Sequence, residues 1–372
     1  MPGERMSPAT VTRSQVLGFR VRAQQLDRAD LEIEEAAVLD IGVQDTGPDG
    51  AGWALSNRGV EVSSLSGDAL VKVWTIRGAP HVYRREHLPL VAAAVEPFSQ
   101  ADAGKRIFDA AKPLKAAGIS NLDALDAVAA AMRSVVTKPM DKGDVSTQVT
   151  ALMDPAYLRF CRACNTTHLY EMPFRLSALR AGLELEPGTS PPVLRPVPGF
   201  EAAAKTPPRY DVVRAYLRLL GPATPRQVAA FLDAPVKDVT AHWPGEVVEV
   251  SVEGEPRWVL SADVAKLTSQ PAATTRLLGP FDLFLQARDR LLLVDDPARA
   301  KAMWPILGRP GAVLLDGQIA GMWRPRKSGK HFRVHLELWE PVSASTRRAI
   351  SEQAERLAAY RQVPLSGIDF DG

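Results

Sequence analysis

Apolar residues are spaced differently in the two parts of the chain. Up to Pro271 they recur mostly at helical spacing; beyond it short runs of strand character dominate. Thr12-Arg13-Ser14-Gln15 has the form of a capping box, and Val16, Phe19, Val21 and Leu26 then form a helical face with Arg20, Arg22 and Gln24 between them. Val71–Ile76 reads as a strand turned back by Arg77-Gly78-Ala79-Pro80 into His81-Val82-Tyr83. From Lys105 to Val136 the pattern is helical and alanine-rich, with Leu114, Leu122, Leu125, Val128 and Met132 on its buried faces. Asp211–Leu220 predicts a helix stopped by Gly221-Pro222, and Thr224 caps a second helix, with Pro225 first and Gln227 completing the box. Val236–Trp243 gives a third helix; Val247–Val252 and Arg257–Leu260 alternate as strands around Glu253-Gly254-Glu255-Pro256. Three short helices and a hairpin make a winged helix. Asp144–Asp154 shares Gln-Val-x-Ala, two bulky apolar residues and Asp with Thr224–Asp233, which points to a repeated unit.

The second part predicts strands at Leu277-Leu278, Leu291–Val294, Ala312–Leu315, Ile319–Trp323 and Phe332–Leu338, closed by a helix over Ser343–Tyr360. The expected fold class is therefore α+β: tandem winged-helix motifs followed by a small C-terminal β-barrel. The segments are 11–108, 109–200, 209–268 and 272–372, with proline-rich connections at Pro187–Pro192 and Pro196–Pro208.

One stretch departs from this regular patterning. The apolar run Val38–Val43, suited to a buried strand or a short core helix, breaks into Gln44-Asp45-Thr46-Gly47-Pro48-Asp49-Gly50 and recovers at Trp53, Ala54 and Leu55. Polar groups on a turn between buried segments are held rigidly, which is what a site of chemistry needs. The competing reading is that Asp45 and Thr46 only cap the turn or helix that follows.

Composition narrows the class. At 372 residues the chain requires two to four domains, and 46% hydrophobic with 24% charged residues is ordinary for a globular protein. No apolar run approaches a membrane span and Met1–Arg20 lacks a signal-peptide core, so cytoplasmic residence is the expectation. The net charge of +2 leaves nucleic acid open, and the distribution of charge decides. Basic residues gather on two hairpins: Arg77, His81, Arg84 and Arg85 on the first, and Arg324, Arg326 and Lys327 within Trp323–Arg333 on the second. Such hairpins can lie against phosphates. For His81, facing DNA and being hydrogen-bonded within the hairpin are equal alternatives.

Cys161 and Cys164 cannot build a disulfide framework. With His168 they form Cys-x2-Cys-x3-His, which offers three zinc ligands and Glu171 or a distant histidine as a fourth. No second paired half is present, and the pair continues a helical pattern with Leu158 and Phe160. Two packed thiols and no metal are expected.

Five strings occur in order: GVQDT at Gly42–Thr46, VWTIRGAPHVY at Val73–Tyr83, the winged helix at Asp211–Leu260, LLGPFDLFLQARDR at Leu277–Arg290 and LLDGQIAGMWRPR at Leu314–Arg326. Together they resemble the winged-helix DNA glycosylases named for azinomycin resistance (AlkZ-like) and their YcaQ-like relatives, over Val11–Tyr360. The resemblance implies three tandem winged helices and a C-terminal β-barrel presenting a concave surface to double-stranded DNA. It also implies excision of N-alkylated purines, bulky adducts and some interstrand crosslinks among them, without metal or organic cofactor. The family's catalytic Gln-x-Gln, or Gln-x-Asp in the YcaQ-like branch, falls in the stretch matched here by Gly42–Thr46, and neither register there reproduces it. Without a gap through to Arg58, Gln44 takes the first position and Thr46 the second; with two residues inserted later, Gln44 takes the second and Gly42 the first. Gln44, Asp45 and Thr46 are thus the catalytic candidates, and Arg58 joins the DNA-contact set. A monomer is expected. The alternative is a non-catalytic winged-helix protein that binds DNA as a regulator or lesion sensor.

Overall fold

The first helix starts where its four-letter signal says. Thr12 accepts a hydrogen bond from the Gln15 amide, the Gln15 side chain accepts one from Thr12, and Arg13–Ala23 follows, burying Val16, Leu17, Phe19 and Val21. The computed structural model describes residues 8–61, 68–268, 273–328 and 331–371. These divide into two units: residues up to 67 with Arg214–Gln227 and Pro244–Gly372, and Asp68–Val213 with Val228–Trp243.

In the first unit, strand Ala9–Val11 runs parallel to Val247–Val252, which forms an antiparallel hairpin with Glu255–Leu260. Val11, Val16, Phe19, Val250, Val252 and Val259 bury one another beneath it. A five-stranded sheet takes Thr275–Leu278, Gly311–Leu315, Gln318–Ser328, His331–Leu338 and Leu365–Asp371 in that order. Helix Ala344–Tyr360 packs on it through Ile350, Ala354 and Leu357, against Val313, Trp323, Val334 and Leu336. Trp53, from far earlier in the chain, is buried in the same cluster.

This sheet is open, not a barrel: its first and last strands have no partnership with each other. The last strand pairs parallel to His331–Leu338. A parallel neighbour needs a crossover, and Ala344–Tyr360 supplies it while covering one face. Leu291–Val294, expected as a strand, lies instead across the helix Arg290–Leu293 and its C-cap. Leucine branches at Cγ and not at Cβ, so it lacks the strand preference of valine or isoleucine and suits a helix well.

In the second unit, the strands Pro80–Arg84, Leu70–Trp74, Leu183–Leu185, Val193–Pro196 and Met140–Asp141 neighbour one another in that order. The helical stretch expected over Lys105–Val136 is broken into Gln100–Arg106, Ala111–Ala116 and Asn121–Val135. The longest of these buries Leu125, Val128 and Met132 against Val145 and Val149 of Lys142–Leu152 and Phe174 of Glu171–Arg180. Leu158–Cys161 and Thr166–Leu169 form a separate two-stranded hairpin. The two cysteines therefore do not continue a helix or pack as core thiols: Cys161 is half-buried and Cys164 exposed. At Thr224 the second capping box forms as read, Thr224 N donating to Gln227 Oε1 at 2.8 Å and Gln227 N to Thr224 Oγ1 at 3.3 Å. Among the described residues no helix is long and apolar enough to cross a membrane.

Candidate active site

The apolar run before the polar loop resolves into a 3₁₀ turn, Ala37–Asp40, and a short strand, Val43–Gln44; after the loop comes helix Ala51–Ser56. Gln44 is buried and its Nε2 donates to Thr46 Oγ1 at 3.0 Å. Asp45 Oδ1 accepts the amide of Ala51, the first helical residue, at 3.0 Å. Gly50 holds the cap position without a side chain, so Asp45 reaches back over it to satisfy a helix-end donor. The close approach requires glycine: a Cβ on Gly50 would stand 2.4 Å from Asp45 Oδ1 and 3.0 Å from Asp45 Cα. Gly47 takes the left-handed conformation that turns the loop, at φ +76°. Asp45 therefore does cap the start of the helix, whatever else it does, and Thr46 pairs with Gln44 instead.

The loop is gripped by distant segments of its own unit. Trp53 Nε1 donates to the Leu277 carbonyl at 2.7 Å, and Asn57 Nδ2 to the same oxygen at 3.1 Å. Gly279 lies so close to the Asp49 carbonyl that a Cβ there would be 2.5 Å away. Arg361 binds both carboxylate oxygens of Asp49, through Nε at 2.7 Å and through Nη2. Arg356 donates to the Ser56 carbonyl at 3.0 Å and lies over the Trp53 ring. Tyr360 packs its ring 5.5 Å from Trp53, with its hydroxyl above Gly52. Burial first, and then the charges of Asp45 and Asp49, raise the Tyr360 pKa, so its hydroxyl keeps its proton. Asp40 pairs with Arg218 at 2.9 Å. Of the three carboxylates around the loop, Asp40 and Asp49 answer arginines, while Asp45 is anchored on a backbone amide.

Sequence reasoning missed Asp49, Gly279, Tyr360 and Arg361 as parts of this frame. Gly279 falls in one of the resembling strings and Tyr360 ends the span of the resemblance, but nothing local marks them as neighbours of Gln44.

The structure removes several residues from the DNA-contact set. Arg58 is fully enclosed, donating to both oxygens of Asp282 at 2.8 and 2.9 Å and to the Ala54 carbonyl at 2.6 Å. Such a pair is satisfied internally and offers nothing to phosphate. Arg84 is buried. Arg85 is engaged within its own sheet, pairing with Glu184 of Leu183–Leu185 at 2.7 Å and donating to the Asp68 and Leu70 carbonyls. Arg77 donates to the Phe231 carbonyl and stacks on that ring at 4.9 Å. His81 is buried: Nδ1 donates to the Ala79 carbonyl at 3.0 Å and lies 3.1 Å from the Thr75 hydroxyl, itself 2.9 Å from Tyr83. Burial, reinforced by the Arg77 charge, pushes the His81 pKa down to about 3. It is therefore neutral at physiological pH and belongs to the hairpin's interior. Arg324 and Arg326 remain exposed, Arg324 also donating to the Gly308 carbonyl at 2.6 Å. The backbone of Lys327 lies on the same strand, and its side chain falls outside the described residues.

The candidate site is thus a polar amide–hydroxyl–carboxylate loop set in an α+β frame. The fold matches that of the Streptomyces sahachiroi DNA glycosylase AlkZ with a TM-score of 0.74 at 19% sequence identity, over 97% of this chain and 100% of that one. No curated protein sequence matches the chain. Residues 38–360 match the family described as DNA glycosylase AlkZ-like, and the chain belongs to that family. It is a protein of DNA glycosylase type.

Proposed function

We propose that this protein binds duplex DNA and hydrolyses the N-glycosidic bond of alkylated purines as a monofunctional glycosylase. The observation that carries this reading is the Gln44-Asp45-Thr46 loop, where a hydrogen-bonded amide and hydroxyl adjoin an anchored carboxylate. Winged-helix segments at 11–108, 109–200 and 209–268 would supply the DNA-binding frame, with exposed Arg324 and Arg326 and their neighbour Lys327 on phosphates.

The chemistry follows from charge. Loss of the base develops positive charge on the sugar, and a carboxylate beside it lowers that barrier. Water must attack the anomeric carbon and give up a proton. Gln44 directs an amide hydrogen to Thr46, so its carbonyl oxygen is the natural acceptor for one water proton. Thr46 holds the amide in place and adds a second polar contact. Asp45, fixed by the Ala51 amide, faces the developing cation and takes the proton. An N7-alkylated purine already carries positive charge, so its departure needs no protonation and no metal.

The test is incubation with duplex DNA containing 7-methylguanine. Release of free 7-methylguanine and formation of alkali-labile sites support the proposal. Tight binding of the same duplex without release would instead make the protein a non-catalytic lesion binder, a reading favoured by the threonine in the second glutamine position.

A further inference from the structure

The hairpin Leu158–Cys161/Thr166–Leu169 is held at its base, where Leu169 N donates to Thr150 Oγ1 at 3.0 Å and Arg159 pairs with Asp109, while its turn, residues 162–167, is exposed. Among the described residues its hydrogen-bonded strand partners are its own two arms, and an isolated two-stranded hairpin is marginal in water. Of its eight strand residues only Leu169 is buried, and Phe160 is 60% exposed. The apolar core reaches the base of this hairpin through Leu158 and Leu169 but not its turn.

What the hairpin does concentrate is metal-ligating chemistry. Cys161 pairs with Thr166 and Arg159 with His168, so Cys161 and His168 share a face as diagonal neighbours. Asn165, in the left-handed conformation at φ +50°, turns the chain immediately after Cys164. The two thiols and the imidazole thereby lie within 4.8 Å of one another. The histidine is also oriented. His168 Nδ1 is 2.7 Å from the Leu169 carbonyl, which can only accept, so Nδ1 is the donor there and Nε2 is the ring nitrogen left to face a ligand. Donation of the other ring N–H to a backbone carbonyl is the usual support of a metal-bound histidine.

We propose that Cys161, Cys164 and His168 bind a zinc ion that fastens this hairpin, with a water molecule in the fourth position. Two thiolates and an imidazole are a borderline-soft donor set that suits zinc over magnesium or calcium. Bonds of about 2.0–2.3 Å require ligand atoms within about 3.8 Å of each other, a rotamer-scale closure on a turn whose second cysteine is exposed. Glu171 does not complete the set: its carboxylate is held by Lys142 at 2.9 Å and Arg175 at 2.6 Å. The two thiolates neutralise the ion, so no further anionic ligand is required.

The test uses the full chain, purified under reducing conditions, loaded with zinc chloride and dialysed against a weak chelator. The expected result is about one zinc per chain by elemental analysis. Cobalt(II) should give a thiolate charge-transfer band and tetrahedral visible bands. Cys161→Ser, Cys164→Ser and His168→Ala should each weaken zinc binding by more than about a hundredfold, beyond what loss of a supporting contact does. Amide exchange across residues 158–169 should slow when zinc is added. No zinc retained by the reduced wild type overturns the proposal. So does binding that survives all three substitutions, or an octahedral cobalt spectrum without thiolate bands. Because these readouts involve no DNA, they stand apart from the test of base excision.

Discussion

Asp45 has a structural task that is in plain view and a chemical one that is proposed, and two substitutions separate them. Asparagine retains the oxygen that accepts the Ala51 amide at 3.0 Å while removing the charge. Alanine removes both. As a cap acceptor the two residues are nearly equal, so Asp45→Asn should leave stability within about 0.5 kcal/mol and Asp45→Ala should lower it by about 0.5–2 kcal/mol. A unit charge about 4 Å from a developing sugar cation, at the effective dielectric of a half-buried site, contributes about 4 kcal/mol. Divided by about 1.4 kcal/mol per decade, that is roughly a thousandfold in rate. Single-turnover release of 7-methylguanine, alongside urea unfolding, reads both quantities. The expected pattern is a folded, DNA-binding Asp45→Asn that releases base roughly a hundred to a thousand times more slowly, and Asp45→Ala equally slow but less stable. Should Asp45→Asn match wild type in rate, Asp45 is a cap alone and the carboxylate has no chemical part.

Arg58→Met should cost about 3–5 kcal/mol, because it leaves Asp282 charged in a fully buried site, and adding Asp282→Leu should restore much of the loss; stability unchanged in the single variant would refute the pairing. Removing charge at Arg324 and Arg326 should reduce the slope of log K against log salt by about 0.9 for each lost phosphate contact, whereas Arg58→Met should leave that slope alone. His81, with its folded pKa pushed down to about 3 against 6.5 in the unfolded chain, makes the native state bind fewer protons than the unfolded state between those values. Stability should therefore be flat above about pH 6.5 and fall below it, by roughly 3 kcal/mol at pH 4.5, and His81→Asn should flatten that fall. Equal acid sensitivity in His81→Asn would exclude His81 as its source.

What the sequence made legible was local. Two capping boxes, at Thr12 and Thr224, formed as read because four consecutive residues contain the whole interaction. The helix behind Ser343 and the central strands of the C-terminal sheet followed from plain periodicity. Leu365–Asp371 escaped because its residues are mostly half-exposed and its partner strand is reached across a helix. The barrel expectation failed on the same point, since closure depends on strand edges that no single segment reveals. At the site, the polar turn after Val43 was visible, but its neighbours were not. Arg361 meets Asp49 across 312 positions, and Leu277 meets Trp53 across 224. The basic residues misled for a related reason: an arginine looks the same in sequence whether its guanidinium group faces solvent or, like those of Arg58 and Arg85, a carboxylate.

Those long spans bear on how the protein comes into being on the ribosome. The loop Gln44–Gly50 emerges early, yet the groups that seat it, from Leu277 and Gly279 to Tyr360 and Arg361, are made last. Contacts of such separation form late, after the chain ends have been brought together against loop entropy. A nascent chain touching DNA would carry the Gln44-Asp45-Thr46 sequence without the geometry that positions it. Competence to cut a glycosidic bond would thus switch on only with the finished molecule, and a chain prematurely stopped before Leu277 would be inert by construction.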